Sequence, residues 1–214
     1  MIKIKNDIKL DFNNVLICPK RSSVNSRSQV NLIREFNFLY SSIKCDVLPI
    51  ISANMSTTGT FKIYDVLSKY KILTCLHKFY TDNEIISEFN LRKNKNETMD
   101  PNLFIISTGI GKDELTQNLE IERLKNIFSN INCNWICIDI ANGYISNLIY
   151  FCKLVRSNFP NKIIIAGNVV TKELVEDLLN NGGDIVKIGI GPGAACTTRL
   201  KAGVGMPQLS AIIE

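Results

Sequence analysis

The sequence predicts an α/β fold of the (β/α)8-barrel type, interrupted after about six strand–helix units. Six short apolar runs recur along the 214-residue chain at intervals of about 22–32 residues. Each run is rich in Ile and Val and continuous rather than alternating, which is typical of strands buried on both faces. Segments of helical period separate the runs. Strand, helix and strand in this rhythm indicate parallel strands joined by right-handed crossovers.

The predicted elements follow in order along the chain. Strands are predicted over residues 47–55, 72–78, 103–111, 135–143, 162–170 and 184–193. Helices are predicted over residues 60–70, 119–131, 145–159 and 171–182, and residues 206–214 have the pattern of a further helix. Thr171 is the expected N-cap of the fourth helix, and Asn181-Gly182-Gly183 provides its end. The polar stretch 90–102 is expected to be a loop.

Two architectures fit these units: an open doubly wound sheet and a (β/α)8 barrel. A dinucleotide-binding doubly wound sheet requires GxGxxG directly after its first strand, and the residues after Ala53 do not supply it. Six units followed by an interrupted helix favour the barrel. Residues 1–45 precede the pattern and are expected to form an N-terminal extension across one end of the barrel, and residues 46–214 the partial barrel itself.

Composition excludes several classes of function. The net charge of +5 is scattered, without a basic block, so nucleic-acid binding is not indicated, whereas a mild positive balance would suit an anionic small ligand. Seven cysteines without a CxxC pair and a single histidine argue against zinc. No signal peptide and no membrane-length apolar run is found, which favours a reducing, cytoplasmic setting. Cys18, Cys75 and Cys137 lie in apolar runs and are expected to be buried.

The carboxyl ends of parallel strands share one edge, so the residues there define a candidate site. They are Asn54–Ser56, His77-Lys78, 109–111, 139–142, Asn168 and 189–199. Gly189, Gly191 and Gly193 permit positive φ and close backbone approach, either to a phosphate or to a monovalent cation. Cys196 is a candidate nucleophile, with Thr198 able to orient it or to relay a proton. The alternative is a tight turn with a half-buried cysteine, a solvated Lys78 and an Asp139 that caps its turn.

Longer motifs carry a specific resemblance. The segments DFNNVLICPKRS, PIISANMSTTGTF, LTCLHKFY, CIDIANGYI, IAGNVVTKELVEDLL and GGDIVKIGIGPGAACTTRLKAGVGMPQLSAIIE resemble the GMP reductases, relatives of the IMP dehydrogenases. The resemblance covers essentially the whole chain. It implies a (β/α)8 barrel and the NADPH-dependent reductive deamination of GMP to IMP, with release of ammonia through a covalent cysteine thioimidate.

The resemblance also implies roles for individual residues. Cys196 matches the catalytic cysteine, and Thr198 matches the threonine that handles ammonia together with a glutamate. The cofactor NADPH is expected at Ser26 and Arg27 (which reach a neighbouring subunit), Lys78, Asp139, Ile140, Ala141, Ile190 and Gly191. Met55 and Asn168 are expected to line the purine, and the carbonyl groups of Gly191, Gly193, Cys196 and Arg199 to hold K+. The full-length enzyme is expected to be a cytoplasmic homotetramer.

Three readings remain open within this resemblance. Three features favour the reductase over a minimal IMP dehydrogenase. No nucleotide-sensing (CBS) module is inserted between the second and third strands, and the segments DIANGY and CTTRLKAGVGMPQ resemble the reductase. A third possibility is a non-catalytic, truncated paralogue that binds nucleotide or joins a full-length oligomer. Ser56 departs from the usual Asp. The seventh and eighth strands and the partner glutamate are expected in sequence after residue 214.

The isolated residues 1–214 are therefore expected to be unstable or to aggregate, and to lack activity, because a barrel without two strands exposes two long edges. The measurement is NADPH oxidation by the purified chain in the presence of GMP. GMP-dependent turnover that disappears in Cys196→Ala would contradict this expectation.

Overall fold

The computed structural model describes residues 6–214 and contains one sheet whose strands pair in chain order. The strands are β1 (Arg34–Phe36), β2 (Cys45–Ser52), β3 (Ile72–Leu76), β4 (Phe104–Thr108), β5 (Trp135–Asp139), β6 (Ile163–Val169) and β7 (Ile185–Ile188). Neighbouring strands from β2 to β7 are parallel, and β1 pairs antiparallel with β2. A doubly wound sheet reverses its strand order at a switch point, whereas this order is sequential throughout. The predicted barrel-type fold is confirmed.

Helices connect successive parallel strands. They are α1 (Phe61–Leu67), α2 (Asp82–Asn94), α3 (Glu114–Asn130), α4 (Ser146–Asn158), α5 (Lys172–Asn180), α6 (Thr198–Ala202) and α7 (Gln208–Ile213), with single-turn 3-10 helices at Phe12–Asn14, Arg27–Gln29 and Ser68–Tyr70. The five predicted helices are present, and α3 begins earlier than predicted because Asp113 caps it. Within residues 6–214, no helix has both the length and the apolar character needed to cross a membrane.

The prediction of a loop over 90–102 is wrong for its first part, because α2 continues to Asn94. A reciprocal capping box starts this helix: Glu84 N–H donates to Thr81 Oγ1 at 3.2 Å, and Thr81 N–H donates to Glu84 Oε2 at 2.8 Å. Only Ile85 is buried in it, and Arg92 forms ion pairs with Glu88 and with a carboxylate of α1. Its polar composition conceals its helical period.

The ends of α5 are as predicted, with one difference in detail. Thr171 is the N-cap residue, but its side chain makes no capping hydrogen bond. Its hydroxyl instead accepts a hydrogen bond from the Tyr144 hydroxyl at 3.0 Å. At the other end the chain reverses at Gly182, whose φ of 105° suits a residue without a Cβ.

The core is centred on β4, β5 and β6. Phe104, Ile106, Ile136 and Ile164 have 0% exposure, as the continuous apolar runs predict. The sheet's outer parallel strands are more open. In β2, Cys45 and Val47 are buried, whereas Ile50 is 55% exposed, and the residues of β7 are half-buried.

Residues 38–41, ahead of β2, contact the chain at the amino ends of the strands, at the edge opposite the candidate site. The Phe38 ring packs edge-on against Trp135 with centroids 5.4 Å apart, and Ser41 Oγ donates to the Asn161 carbonyl at 2.7 Å. The proposed division at residue 45 stays a prediction. The preceding segment is open: Ile17 is 97% exposed and Cys18 is exposed. The expectation of a buried Cys18 is therefore wrong, since the apolar run that contains it is exposed.

A single carboxylate, Asp184, fastens this end. It has 0% side-chain exposure and forms an ion pair with Arg156 of α4. Its Oδ1 accepts the Tyr40 N–H at 2.9 Å, and its Oδ2 accepts the Ile164 N–H at 2.9 Å. The Arg156 guanidinium also lies over the Tyr40 ring, 5.0 Å from its centroid. Asp184 therefore joins the extension, α4, β6 and β7.

Asp184→Ala is expected to lower the free energy of unfolding by about 3–5 kcal/mol, because it leaves a largely buried guanidinium and two N–H groups without their acceptor. Urea denaturation measures the change. The matched control is Asp177→Ala on the exposed face of α5, for which a change within about 0.5 kcal/mol is expected. Equal effects of the two substitutions would show that Asp184 has no special role.

Candidate active site

Asp139 is the centre of a polar cluster at the carboxyl edge of the sheet. It is the last residue of β5, and its carboxylate forms an ion pair with Lys187 of β7. The Lys187 ammonium also donates to Asn54 Oδ1, beyond the end of β2, at 3.1 Å. Burial acts to raise the pKa of Asp139, but the charge and hydrogen bond of Lys187, with smaller contributions from Asn54 and Lys78, lower it overall. Asp139 is therefore a carboxylate at neutral pH.

Lys187 is a residue of this cluster that the sequence motifs did not predict as a site residue. The signal was available, because Lys187 is a charged residue within an otherwise apolar predicted strand. Such residues face an interior that contains a partner for their charge. The same edge contains Lys78, which is exposed and contributes to the low pKa of Asp139. The structure therefore brings two of the predicted cofactor residues together.

The loop after β5 is held against β6 by backbone hydrogen bonds. Ile140 N–H donates to the Gly167 carbonyl at 3.0 Å, and Asn168 N–H donates to the Ile140 carbonyl at 3.0 Å. Gly143 N–H donates to the Asn168 carbonyl at 2.8 Å, and a Cβ on Gly143 would lie 2.5 Å from that oxygen. These bonds place the predicted cofactor residues, including the exposed Ala141, beside the predicted purine residue Asn168.

Asn168 also provides an unused acceptor. Its Oδ1 is buried and has no hydrogen-bond partner among the described residues. A buried acceptor without a partner is costly, so this atom is suited to a donor that arrives with a ligand.

The glycine-rich loop after β7 has two glycines in the left-handed region. They are Gly189, with φ of 135°, and Gly191, with φ of 72°. Gly193, where the sequence also permits positive φ, does not adopt it, and its carbonyl begins the turn that leads to Cys196. A Cβ on Gly191 would lie 3.0 Å from Arg199 Cγ. The preceding residue, Ile190, is 4% exposed, and its carbonyl accepts the Met206 N–H at 3.0 Å.

Cys196 follows this loop and is half-buried. Its Sγ lies 3.3 Å from Thr198 Oγ1, with the thiol donating. Hydrogen bonds with the hydroxyl and the N–H of Thr198 lower the pKa of Cys196, and the charge of Arg199 acts in the same direction. Once the thiol loses its proton, both Thr198 groups can donate to the sulfur. The spacing Cys-x-Thr therefore stabilises a thiolate.

Most of the other cysteines are in unsuitable surroundings for a nucleophile. Burial raises the pKa of Cys45 to about 11, and that of Cys133 and Cys152 to about 12. Cys75 differs, because hydrogen bonds with Cys137 and Ser107 lower its pKa despite burial. Its side chain, however, is only 4% exposed. Cys196 combines a lowered pKa with access from the carboxyl edge.

The predicted cation ligands are backbone carbonyl groups, whose oxygens suit K+. Two of them already accept one hydrogen bond: Gly193 from Cys196 N–H at 3.0 Å, and Arg199 from Gly203 N–H at 3.1 Å. Each keeps a second lone pair. The donor chemistry therefore fits a monovalent cation. By contrast, residues 6–214 contain no cluster of three or more His, Cys, Asp or Glu side chains arranged for a metal.

Two predicted residues, Ser26 and Arg27, are not brought to these groups, and Met55, next to Asn54 of the cluster, makes no side-chain hydrogen bond with the residues that the structure describes. Ser26 caps the 3-10 helix that begins at Arg27, and its hydroxyl bonds locally with Ser28. Both lie in the exposed extension, where the resemblance assigns them to a neighbouring subunit. Met55 is 60% exposed, and its carbonyl accepts N–H groups of the following turn. The roles of all these site residues stay predictions.

Comparison with known proteins adds a family assignment. A family model described as IMP dehydrogenase / GMP reductase domain matches residues 9–214. A GMP reductase from Buchnera aphidicola subsp. Schizaphis graminum is 51% identical over 214 residues, covering 100% of this chain and 58% of the relative. A GMP reductase from Vibrio vulnificus (strain YJ016) is 45% identical over 213 residues, covering 100% of this chain and 59% of the relative.

The fold also matches a solved structure. The crystal structure of inosine 5' monophosphate dehydrogenase from Legionella pneumophila superimposes with a TM-score of 0.77 at 28% identity. The match covers 96% of this chain and 58% of that one. The chain thus spans less than two thirds of the length of these relatives.

Thr198→Val is expected to slow alkylation of Cys196 by iodoacetamide roughly three- to tenfold at about pH 7.5. Removing the Thr198 hydroxyl raises the pKa of Cys196 toward its ordinary value, so a smaller fraction of the thiol is ionised at this pH. The alkylation rate is measured by mass spectrometry of the Cys196 peptide. Thr197→Val, at an exposed neighbouring position, is the control. At high pH the Cys196 thiol is ionised in both the wild type and Thr198→Val, so their rates should converge. A rate difference as large there as at pH 7.5 would contradict the pKa explanation.

Proposed function

Since the chain belongs to the IMP dehydrogenase / GMP reductase family, we propose that it carries the nucleophile and part of the cofactor site of an NADPH-dependent GMP reductase. One observation carries the proposal: a Cys196 thiol with lowered pKa, 3.3 Å from the Thr198 hydroxyl, beside the carboxyl edge of the sheet. The names and 45–51% identities of the Buchnera and Vibrio relatives support the reductase within the family.

The proposed reaction converts GMP, NADPH and two protons to IMP, NADP+ and ammonium. The Cys196 thiolate forms a bond to C2 of the guanine ring, giving a tetrahedral adduct that still carries the amino group. That group takes up a proton, the C2–amino bond breaks, and ammonia leaves behind a covalent thioimidate. NADPH, when bound, supplies hydride to that carbon. The C2–sulfur bond then breaks, returning the electron pair to Cys196 and releasing IMP.

Thr198 acts on the first half of this sequence. Its hydroxyl and N–H stabilise the attacking thiolate. As sulfur becomes neutral in the new bond, the hydroxyl is free to donate to the departing amino group. A poorly electrophilic purine carbon gains from such a two-step route, because each step has a lower barrier than direct displacement.

The cofactor is proposed to bind along the edge that Asp139, Ile140 and Ala141 form. The Asp139 carboxylate can accept hydrogen bonds from ribose hydroxyls, while Ile190 and Gly191 present backbone on the other side. Lys78 of this chain and Arg27 of a neighbouring subunit carry charges that suit the phosphates of NADPH.

The purine is proposed to lie against Met55 and Asn168. The buried, unpaired Asn168 Oδ1 supplies an acceptor. The carbonyl groups of Gly191, Gly193, Cys196 and Arg199 would hold K+, which keeps the loop that carries Cys196 in one conformation.

The assembly proposed is a cytoplasmic homotetramer. The segment that precedes Ser26 presents Leu16 and Ile17 at 96% and 97% exposure, and apolar side chains of this kind are suited to a neighbouring subunit. The seven free cysteines suit a reducing compartment.

The test uses the polypeptide with any residues that its gene encodes after Glu214. It is expected to oxidise NADPH only when GMP is present, with IMP and ammonia formed in equal amounts. Cys196→Ala is expected to lower turnover by roughly 10⁴-fold or more, because the nucleophile is lost. Thr197→Val should retain turnover.

Other outcomes of this assay would overturn the proposal. Reduction of NAD+ with IMP, without GMP-dependent oxidation of NADPH, would indicate an IMP dehydrogenase. Binding of GMP without turnover of either substrate would indicate a non-catalytic paralogue.

A further inference from the structure

A lysine lies in the interior of the sheet at its carboxyl edge. The side chain of Lys187 is 33% exposed and that of its partner Asp139 is 20% exposed. Lys187 borders a cavity of about 280 Å³, together with Asn54, Cys75, Cys137 and Ile165 among others. A partly buried ammonium group costs free energy unless it is paired with an acceptor. The contacts of Lys187 therefore indicate its role.

Those contacts form a closed triangle. The Lys187 ammonium donates to Asp139 Oδ1 and to Asn54 Oδ1. The Asn54 side chain also forms a hydrogen bond with Asp139 that acts to lower its pKa. Because the Asn54 oxygen accepts from the ammonium, its amide nitrogen is the atom left to donate to the carboxylate.

The triangle joins three segments that are far apart in the sheet. Asn54 follows β2, Asp139 ends β5 and Lys187 lies in β7. β2 and β7 are the first and last parallel strands, and four strands separate them. The direction of the Asp139 carboxylate is therefore set by contacts from both sides of the interior, and not by its own strand alone.

We infer that Lys187 and Asn54 are positioning residues, which hold the Asp139 carboxylate ionised and aimed at the ligand-facing edge. This inference rests on the proposed function, in which that carboxylate receives the ribose hydroxyls of the cofactor. Neither residue is required to touch the reacting atoms.

The groups that face Asp139 determine the sign of the expected pH effect. They are Lys187 from β7, Asn54 after β2, Lys78 after β3, and the thiols of Cys75 and Cys137. Burial favours the protonated acid, and Lys187, Asn54 and Lys78 together outweigh it, with Lys187 contributing most. Without the ammonium, burial remains, so the carboxyl group becomes protonated at higher pH and loses its ability to accept two hydrogen bonds.

The experiment compares Lys187→Met, Lys187→Arg and Asn54→Ala in the complete polypeptide. The first readout is the titration of the Asp139 carboxyl carbon by NMR. Lys187→Met is expected to move its midpoint upward by about 1 pH unit or more, Asn54→Ala by less, and Lys187→Arg is expected to keep it low. The control is Lys172→Met, which removes an exposed lysine paired with Glu176 on α5.

The second readout is NADPH affinity as a function of pH. Lys187→Met is expected to weaken binding about tenfold near neutral pH and to move the acid limb of the profile upward, with rescue by Lys187→Arg. A merely structural role would lower the unfolding midpoint and leave both profiles where they are.

Two results would overturn the inference. One is a folded Lys187→Met protein with an unchanged Asp139 titration and unchanged NADPH affinity. The other, which needs no variant, is a wild-type Asp139 that titrates at or above the ordinary value of an aspartate. A wild-type protein with the expected low Asp139 titration but without GMP-dependent NADPH oxidation would count against the proposed function alone.

Discussion

The pairing of six parallel strands in chain order is the constraint on which the rest of the molecule depends. Parallel strands buried on both faces send every carboxyl end to one edge and every amino end to the other. Residues as distant in sequence as Asn54 and Lys187 therefore come within 3.1 Å of each other. The direction of the strands determines where the candidate site lies, and the strand ends and the loops after them provide its side chains.

The two edges use charge for different purposes. At the amino edge, Asp184 is fully buried and all of its contacts are to the protein, which fixes the extension to the sheet. At the carboxyl edge, Asp139 and Asn168 keep atoms that the protein does not fully use. A carboxylate saturated by its own chain stabilises the fold, whereas a partly satisfied one is available to a ligand. Aspartate thus lies at both edges of the sheet, fully buried at one and partly exposed at the other.

The sequence predicts the elements whose signal is local. Continuous Ile and Val runs predicted all six parallel strands, and helical period with Gly182 predicted the end of α5. The last turn of α2 was predicted as a loop because its residues are polar, and ion pairs of Arg92 with carboxylates of α1 and α2 stabilise it instead of apolar burial. Cys18 lies in an apolar run that is exposed in the structure, so local hydrophobicity misplaced it. Lys187 needs partners that only the assembled sheet supplies. Cys196 and Thr198 were candidates from their place after a glycine-rich loop at a strand end, and the family resemblance favoured them over a simple turn. Their contact is local, because they are two positions apart in the sequence.

The connections of Asp184 have a consequence for how this end of the molecule comes apart. Its oxygens serve the backbone of Tyr40 and of Ile164 and the guanidinium of Arg156, which belong to three separate segments. Withdrawing Arg156 leaves a buried carboxylate without its countercharge, and withdrawing either backbone segment leaves it without one of its hydrogen-bond donors. Local unfolding of the segment around Tyr40 is therefore coupled to local unfolding of β7, so the amino edge opens as a single cooperative unit. One buried carboxylate thus couples the unfolding of segments that are far apart in the sequence.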